Sequence, residues 1–298
     1  ETEADPEREA AMLKLMNILM AGGGHVDPKE LKELTDRIAV LENRTPREIN
    51  VRNPKGEVVK VGLVHKEFET LLSVLSAGLH AYLVGPAGSF KTSAGEQAAK
   101  ALGMECSAIS VCQQTTAVAL LGYMDATGTY RATEFRKRYE EGGVFILDEV
   151  DNGNPNVLAV LNSALANGRC AFPDGMVPRS SEFRLVATAN TFGQGATSQY
   201  IGRCQLDAAT LDRFAFVEWQ YDEEMEMEIA SNKDWCKRVL ALRASAAKLK
   251  SKIVISPRAT FSGSGLLAQG MLQSKVEKLL IWGGTSKEEI RKIEAGVA

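Results

Sequence analysis

A short apolar run, Tyr82-Leu83-Val84, leads without a break into Gly85-Pro86-Ala87-Gly88-Ser89-Phe90-Lys91-Thr92, and a helical pattern continues from Lys91 to Leu102. No other stretch restricts the fold as strongly. A strand brings the loop to the edge of a sheet, where its backbone N–H groups and the positive end of the next helix converge on one point. Such a point binds phosphate. Lys91 adds a mobile cation and Thr92 a hydroxyl able to ligate Mg²⁺, so a nucleoside triphosphate, ATP as its Mg²⁺ complex, is the natural anion. A turn that merely joined strand to helix would account for Gly85 and Gly88 but not for Lys91-Thr92 at the helix start. The pattern departs from its usual form at Phe90, where glycine is expected. If that position requires a positive φ, phenylalanine costs about 1–2 kcal/mol there, and its ring must crowd either the phosphates or a neighbouring helix.

A second apolar run, Val144-Phe145-Ile146-Leu147, reads as a buried strand that ends in Asp148-Glu149. Sheets of this kind place ligands at the C-terminal ends of their strands. Asp148 is expected to hold Mg²⁺ through water, and Glu149 to polarise the attacking water as general base. Adjacent strand residues point to opposite faces, which lets the two carboxylates divide these tasks. Acidic residues after a strand are common, and the phosphate loop upstream is what gives this pair its meaning. A third strand, Leu185-Val186-Ala187-Thr188-Ala189, carries Asn190 at its tip, whose amide can hydrogen-bond both the γ-phosphate and the attacking water. Without the two preceding motifs it would read as a turn asparagine. Leu211-Asp212-Arg213-Phe214 and Ser256-Pro257-Arg258-Ala259 each supply an arginine able to stabilise charge on a transferred phosphoryl group, especially from a neighbouring subunit. Taken alone, either is an ordinary surface or ion-paired residue.

Around these motifs helical and strand patterns alternate from His65 onward. Helices are expected over Phe68–Ala77, Lys91–Leu102, up to Glu141, and over Pro155–Ala166, with strands over Ala81–Val84, Ser107–Val111, Val144–Leu147 and Phe183–Ala187. Short continuous apolar strands separated by helices imply an α/β fold with a parallel sheet covered on both faces. Ahead of it, Val51, Val58 and Val61 around Asn53-Pro54-Lys55-Gly56 read as a β-hairpin with its valines inward. Past Trp219 strand signals nearly vanish, and helical stretches over 222–230, 234–249, 260–267 and 275–281 suggest a smaller all-helical domain. Residues 1–44 read as two helices broken at Ala21-Gly22-Gly23-Gly24. The expected division is a helical arm over 1–48, an α/β body over 49–220 and a helical lid over 221–298.

Composition excludes several alternatives. No apolar run approaches the ~20 residues that span a bilayer, so no membrane role is expected. No basic and apolar leader follows Glu1. Five cysteines without a C-x-x-C pair fit a reducing compartment, the cytoplasm, or a host's cytoplasm for a viral protein. His25, His65 and His80 lack metal-ligand spacing and read as surface or satisfied core positions. A net charge of −3 provides no overall footprint for nucleic acid, although a local basic patch would escape that count.

In this order the motifs resemble the AAA+ ATPases, and the stretch from His65 to Gly283 is similar to their MoxR and dynein-related branch, including the ATPase subunit of cobaltochelatase and its viral and bacterial relatives. Asp148-Glu149-Val150-Asp151, Phe183 to Thr191 with Gly193 and Gly195, Leu206 to Phe214, and Ser256-Pro257-Arg258 carry the resemblance. It implies that Lys91 and Thr92 form the Walker A pair, Asp148 and Glu149 the Walker B pair, and Asn190 sensor 1. Arg213 matches the arginine finger, with Arg203 a weaker candidate, and Arg258 matches sensor 2. The fold so implied is a P-loop NTPase sandwich with a C-terminal helical lid. Members of this branch carry an insert that Leu120-Leu121-Gly122 and Asp125–Thr133 match, and a hairpin that Cys170–Ser181, turning at Pro173-Asp174-Gly175, matches. Tyr130, Arg131, Phe172 and Met176 are then candidate contacts to a substrate, or else packed and solvated hairpin residues. The function implied is an ATP-driven hexameric ring that remodels a protein client, in the manner of a chaperone or chelatase, with a von Willebrand A-type protein as candidate partner. Two alternatives stay open: a nucleic-acid translocase or restriction-type motor, and a nucleotide-binding structural oligomer in which Phe90 has impaired hydrolysis.

Overall fold

The computed structural model describes residues 48–52, 56 and 58–297; the helices expected before residue 45 and the turn at 53–55 lie outside them. Its first element is an antiparallel hairpin of β1 (Glu48–Arg52) and β2 (Val58–Leu63), with Val51 opposite Val59. Val51 is buried, but Val58, expected inward, is 64% exposed. Positions 58 and 61 are an odd number of residues apart and cannot share one face of a regular strand. Val59 and Val61 are the β2 valines that are partly covered.

Next come α1 (Phe68–Ser76), β3 (His80–Val84), α2 (Lys91–Ala101) and β4 (Cys106–Ser110). A short helix α3 (Ala117–Leu121) and a two-rung hairpin, β5 (Tyr123–Met124) with β6 (Tyr130–Arg131), interrupt the chain before α4 (Glu134–Glu141). There follow β7 (Gly143–Asp148), α5 (Pro155–Ala166), a second hairpin of β8 (Arg169–Phe172) and β9 (Gly175–Pro178), and β10 (Phe183–Ala189). The α/β body closes with α6 (Ala208–Leu211) and β11 (Phe214–Glu218), neither among the elements expected above.

Five strands form one parallel sheet in the order β11-β3-β10-β7-β4. Together with its flanking helices it is the α/β sandwich of a P-loop NTPase. The apolar runs are continuous because both faces are covered, so successive residues enter different cores. Tyr82, Phe145, Leu147, Leu185 and Ala187 pack with Phe135 and Tyr139 of α4 and Leu158 and Leu161 of α5. Ala81, Leu83, Val144, Ile146 and Val186 pack against Phe68, Leu71, Leu72 and Leu75 of α1 and the alanines of α2. β11 and β4 form the two edges, and on β11 Phe216 is 42% exposed and stacked on Phe192.

Five helices make up the C-terminal part: α7 (Glu223–Ile229), α8 (Lys233–Lys248), α9 (Pro257–Ala268), α10 (Gln273–Leu280) and α11 (Lys287–Ala295), the last not expected from the sequence. They enclose their own core around Trp235, Val239, Leu242, Val276 and Ile293. A buried ion pair ties α7 to α8, with Arg243 Nη1 2.7 Å and Nη2 2.9 Å from the carboxylate oxygens of Glu226. Among the described residues no helix is long and apolar enough to cross a membrane.

His80 opens β3 inside this packing. Its Nδ1 accepts the Leu185 N–H at 3.1 Å, and its ring meets Phe183 and Phe214 edge-on. Burial, assisted by Arg179 and Arg184, pushes its pKa from 6.5 down to about 4. The folded value lies below the unfolded one, so the stability this neutral ring contributes is present above about pH 6.5 and is lost as pH falls toward 4. The full effect is about 3 kcal/mol. Urea unfolding at pH 7 and pH 5 should therefore show a lower midpoint in acid. His80→Asn, whose amide oxygen can still accept the Leu185 N–H, should reduce that drop; an unchanged drop would remove His80 as its cause.

Candidate active site

Register in the sheet sets the positions of the three motif ends. Val84 pairs with Ala189 and Leu147 with Ala187, so Gly85, Asp148 and Asn190 leave neighbouring strands at one edge. The Gly85 N–H continues the ladder by donating to Ala189 O at 3.1 Å. Gly85 is required by close approach, since a Cβ there would lie 1.9 Å from Trp219 O. Three aromatic side chains brace the loop beyond it. Trp219 Nε1 donates to Ser89 O at 2.9 Å, Tyr221 Oη donates to Ala87 O at 2.8 Å, and Tyr200 Oη accepts the Ala87 N–H at 3.0 Å.

Residues Ala87 to Ser93 then surround a cavity of about 210 Å³ whose other walls are Asp148, Glu149, Thr188, Ala189, Asn190 and Arg258. Lys91 is buried, and its Nζ donates to Gly85 O at 2.8 Å, Pro86 O at 2.9 Å and Asn190 Oδ1 at 3.1 Å. Burial lowers its pKa to about 8, against the opposing pull of Asp148, Asp151 and Glu149. Thr92 Oγ1 donates to Asp148 Oδ1 at 2.8 Å, and Thr188 Oγ1 bonds the same oxygen. One carboxylate and one hydroxyl suit Mg²⁺, which keeps several waters and completes its shell with substrate phosphates. Among the described residues there is no group of three His, Cys, Asp or Glu side chains placed to hold an ion by themselves.

Phe90 has φ 63 and ψ 26, so the position does demand the left-handed region. Its ring meets Phe261 of α9 at 5.7 Å between centroids, tilted by 59°. Contact with α9, worth about 0.5–1.5 kcal/mol, is of the same size as the backbone strain it accompanies. Gly88 brings the residues before α9 close from the other side, because a Cβ at its φ of +80° would lie 3.0 Å from Cβ of Ser256.

Glu149 corrects the expectation that strand alternation divides the two carboxylates. β7 ends at Asp148, and Glu149 has φ 55 and ψ 42. A left-handed backbone, not the pleat, turns its side chain. Its Oε2 lies 3.4 Å from Asn152 Nδ2 and 3.6 Å from Arg203 Nη1. Arg213 does not line the cavity of its own chain, and its buried Nε has no hydrogen-bond partner, whereas the exposed Arg258 does line it. Among the proposed contacts, Phe172 is only 5% exposed, beneath the Arg136 guanidinium at 4.6 Å, which removes it as a surface contact. Tyr130 is half-buried and donates to Leu121 O at 2.7 Å, and Arg131 pairs with Asp125. Met176 is 62% exposed.

Two residues of the site escaped the sequence reading. Thr188 lies two positions before Asn190 on β10, so period-two alternation could have flagged it. Asp151 is fully buried, and its Oδ2 accepts the N–H groups of Asn190 at 3.1 Å and Thr191 at 3.0 Å and the Thr191 hydroxyl at 2.9 Å.

Residues 80–214 match the family model of the AAA domain, dynein-related subfamily. No curated protein matches the sequence. Similar solved structures include a closed-state cryo-EM reconstruction of Hsp104 with ATPγS and FITC casein, at 19% identity over 55% of this chain and 34% of that one, with a TM-score of 0.42. A RuvB mutant from Thermotoga maritima is 17% identical over 72% of this chain and 68% of its own, with a TM-score of 0.44. NtrX from Brucella abortus in complex with ADP is 15% identical over 85% of this chain and 54% of its own, also at 0.44. The chain thus spans about a third of the Hsp104 chain and about half of the NtrX chain.

Phe90→Ala keeps the strain and loses the Phe261 contact, whereas Phe90→Gly loses the contact but relieves the strain. Glycine should therefore be the more stable of the two by about 1 kcal/mol in urea unfolding, the reverse of their order inside a helix. Lys91 yields a second expectation. A bound polyphosphate favours its ammonium form, so nucleotide binding should take up protons near pH 8 and weaken as pH rises above it. Calorimetry in buffers of different ionisation enthalpy measures the uptake, and Lys91→Arg should abolish it.

Proposed function

We propose that this chain is an Mg²⁺-dependent ATPase of AAA+ type, with residues 49–220 as the catalytic body and 221–298 as its lid. The observation that carries the reading is the convergence of Lys91, Thr92, Asp148 and Asn190 on one cavity, with Glu149 on its wall. The loop amides and Lys91 bind the β- and γ-phosphates. Thr92 and Asp148 hold the metal, which when bound neutralises phosphate charge. Asn190 exchanges its bond to Lys91 for the γ-phosphate and the attacking water. Glu149 takes the proton of that water as its oxygen bonds to the γ-phosphorus; the bond to the β,γ-bridging oxygen breaks, and ADP and phosphate leave.

Arg213 lies outside its own chain's cavity, which fits a guanidinium supplied to a neighbour in a ring. Nucleotide would then tighten the subunit interface and hydrolysis loosen it. A protein client is favoured over nucleic acid by the net charge of −3 and by exposed apolar side chains on the two hairpins, Tyr123 at 51%, Met124 at 45% and Met176 at 62%. A von Willebrand A-type partner belongs to this reading through the resemblance alone.

Phosphate release tests the reading. Wild type should turn over ATP, and Lys91→Ala and Glu149→Gln should fall by roughly a hundredfold or more. Equal background rates in all three would leave a structural nucleotide-binding oligomer. Mixing inactive Lys91→Ala with inactive Arg213→Ala subunits should restore part of the activity if the arginine acts in trans. Stimulation by DNA but by no unfolded protein would replace the protein client with nucleic acid.

A further inference from the structure

Between β10 and α6 the segment 199–204 is attached at three places to residues in and around the site. Tyr200 holds the Ala87 N–H of the phosphate loop. The Cys204 N–H donates to the backbone oxygen of Asp151 at 2.7 Å. Arg203 Nη1 lies 3.3 Å from Asp151 Oδ1 and 3.6 Å from Glu149 Oε2. The Arg203 side chain is 14% exposed, and its guanidinium carbon is 5.9 Å from the Tyr200 ring centroid.

This geometry separates two roles for Arg203. A finger acting on a neighbour must project from the surface with its guanidinium uncommitted. Arg203 instead faces inward onto two carboxylates of its own chain. One of these, Asp151, is completely buried, and its other oxygen accepts the bonds that fix the backbone of Asn190 and Thr191. A buried carboxylate requires a charge partner, so the guanidinium is anchored more firmly than a surface ion pair would hold it. Glu149 is 44% exposed at its side chain, has two long contacts, and stands in a left-handed turn with no strand pairing to orient it. Its contact with Arg203 is screened and weak in energy, but it comes from a charge whose place is set elsewhere.

We propose that Arg203, seated on Asp151, is a positioning residue that aims the Glu149 carboxylate at the attacking water within its own chain. The same buried carboxylate sets the Asn190 tip, so one anchor orients both the general base and the amide opposite it. The inference rests on the ATPase reading above. A misaimed base slows the chemical step without loosening the nucleotide.

The test measures phosphate release together with the Kd of a fluorescent ATP analogue, for wild type, Arg203→Gln, Arg203→Lys, Glu149→Gln and the Arg203→Gln/Glu149→Gln double variant. Arg203→Gln should lower kcat about tenfold or more while the Kd stays within about twofold. It should add nothing further to the loss in Glu149→Gln, because it acts through that side chain. Arg203→Lys keeps a cation opposite Asp151, so it serves if the glutamine variant does not fold, and its kcat should lie between those of wild type and Glu149→Gln at unchanged Kd. Arg203→Gln or Arg203→Lys mixed with Lys91→Ala subunits should not regain activity, in contrast to Arg213→Ala. Recovery in that mixture, additive loss with Glu149→Gln, or a Kd that weakens as much as kcat falls would overturn the proposal. A wild type that turns over equally with Arg203 replaced would sink it alone, whereas a wild type releasing no phosphate would sink it along with the ATPase reading.

Discussion

Parallel pairing among β3, β10 and β7 is the constraint on which the site depends. Three segments far apart in sequence end side by side because Val84 is in register with Ala189 and Leu147 with Ala187. A shift of one residue in either ladder would turn every buried side chain of a strand to the wrong core, so the apolar packing on both faces also fixes the functional edge. Chemistry at the edge is thereby set by cores that contain no functional group: Phe145 and Leu147 on one side, Val144 and Ile146 on the other.

The phosphate loop is held by side chains it does not contain. Trp219 and Tyr221, just past β11, bond Ser89 O and Ala87 O, and Gly85 lies too close to Trp219 for any side chain to fit. These contacts lie where the sheet passes into the C-terminal helices. His65 stacks on Trp219 at 4.1 Å and bonds Gln220 O, which ties the entry to α1 to the same junction. On the far side of the loop Phe90 gives up backbone comfort for contact with Phe261 of α9. A glycine there would relax the loop and break that contact, so the departure from the usual motif couples the phosphate loop to the C-terminal helices.

What was legible in the sequence follows from locality. Lys91 and Thr92 were readable because strand, loop and helix are contiguous, and the five-strand core emerged from its apolar runs. The contacts of Thr188 with Asp148, of Asp151 with Asn190 and of Arg203 with Asp151 were hidden because the partners lie about 40 or more positions apart, so Arg203 reads in sequence only as a candidate finger and Asp151 only as part of a motif. At Glu149 a local rule was applied one residue too far, since the strand ends at Asp148. For Phe172 the packed alternative holds: an aromatic residue in an exposed hairpin can still face the core, and period-two burial in β8 turns Cys170 and Phe172 inward. β11 did carry a signal, the apolar run Phe214-Ala215-Phe216-Val217, which went unread, whereas α11 carries only two central isoleucines among charges.

Three carboxylates within four residues would repel one another unless their surroundings differed, and here they do. Asp151 is fully buried, faces a guanidinium and accepts three bonds at one oxygen, so its charge is consumed in holding backbone. Asp148 receives two hydroxyls, from Thr92 and Thr188, and no salt bridge from a described cation, so its charge stays available to a metal. Glu149 is the most solvated of the three and carries the loosest contacts. The three carboxylates, chemically almost equivalent, are therefore distinguished by environment alone, and the roles proposed for them follow that division. Lys91 completes the arrangement. Its desolvation weakens the ammonium, the three nearby acids restore it in part, and a bound polyphosphate would complete the compensation.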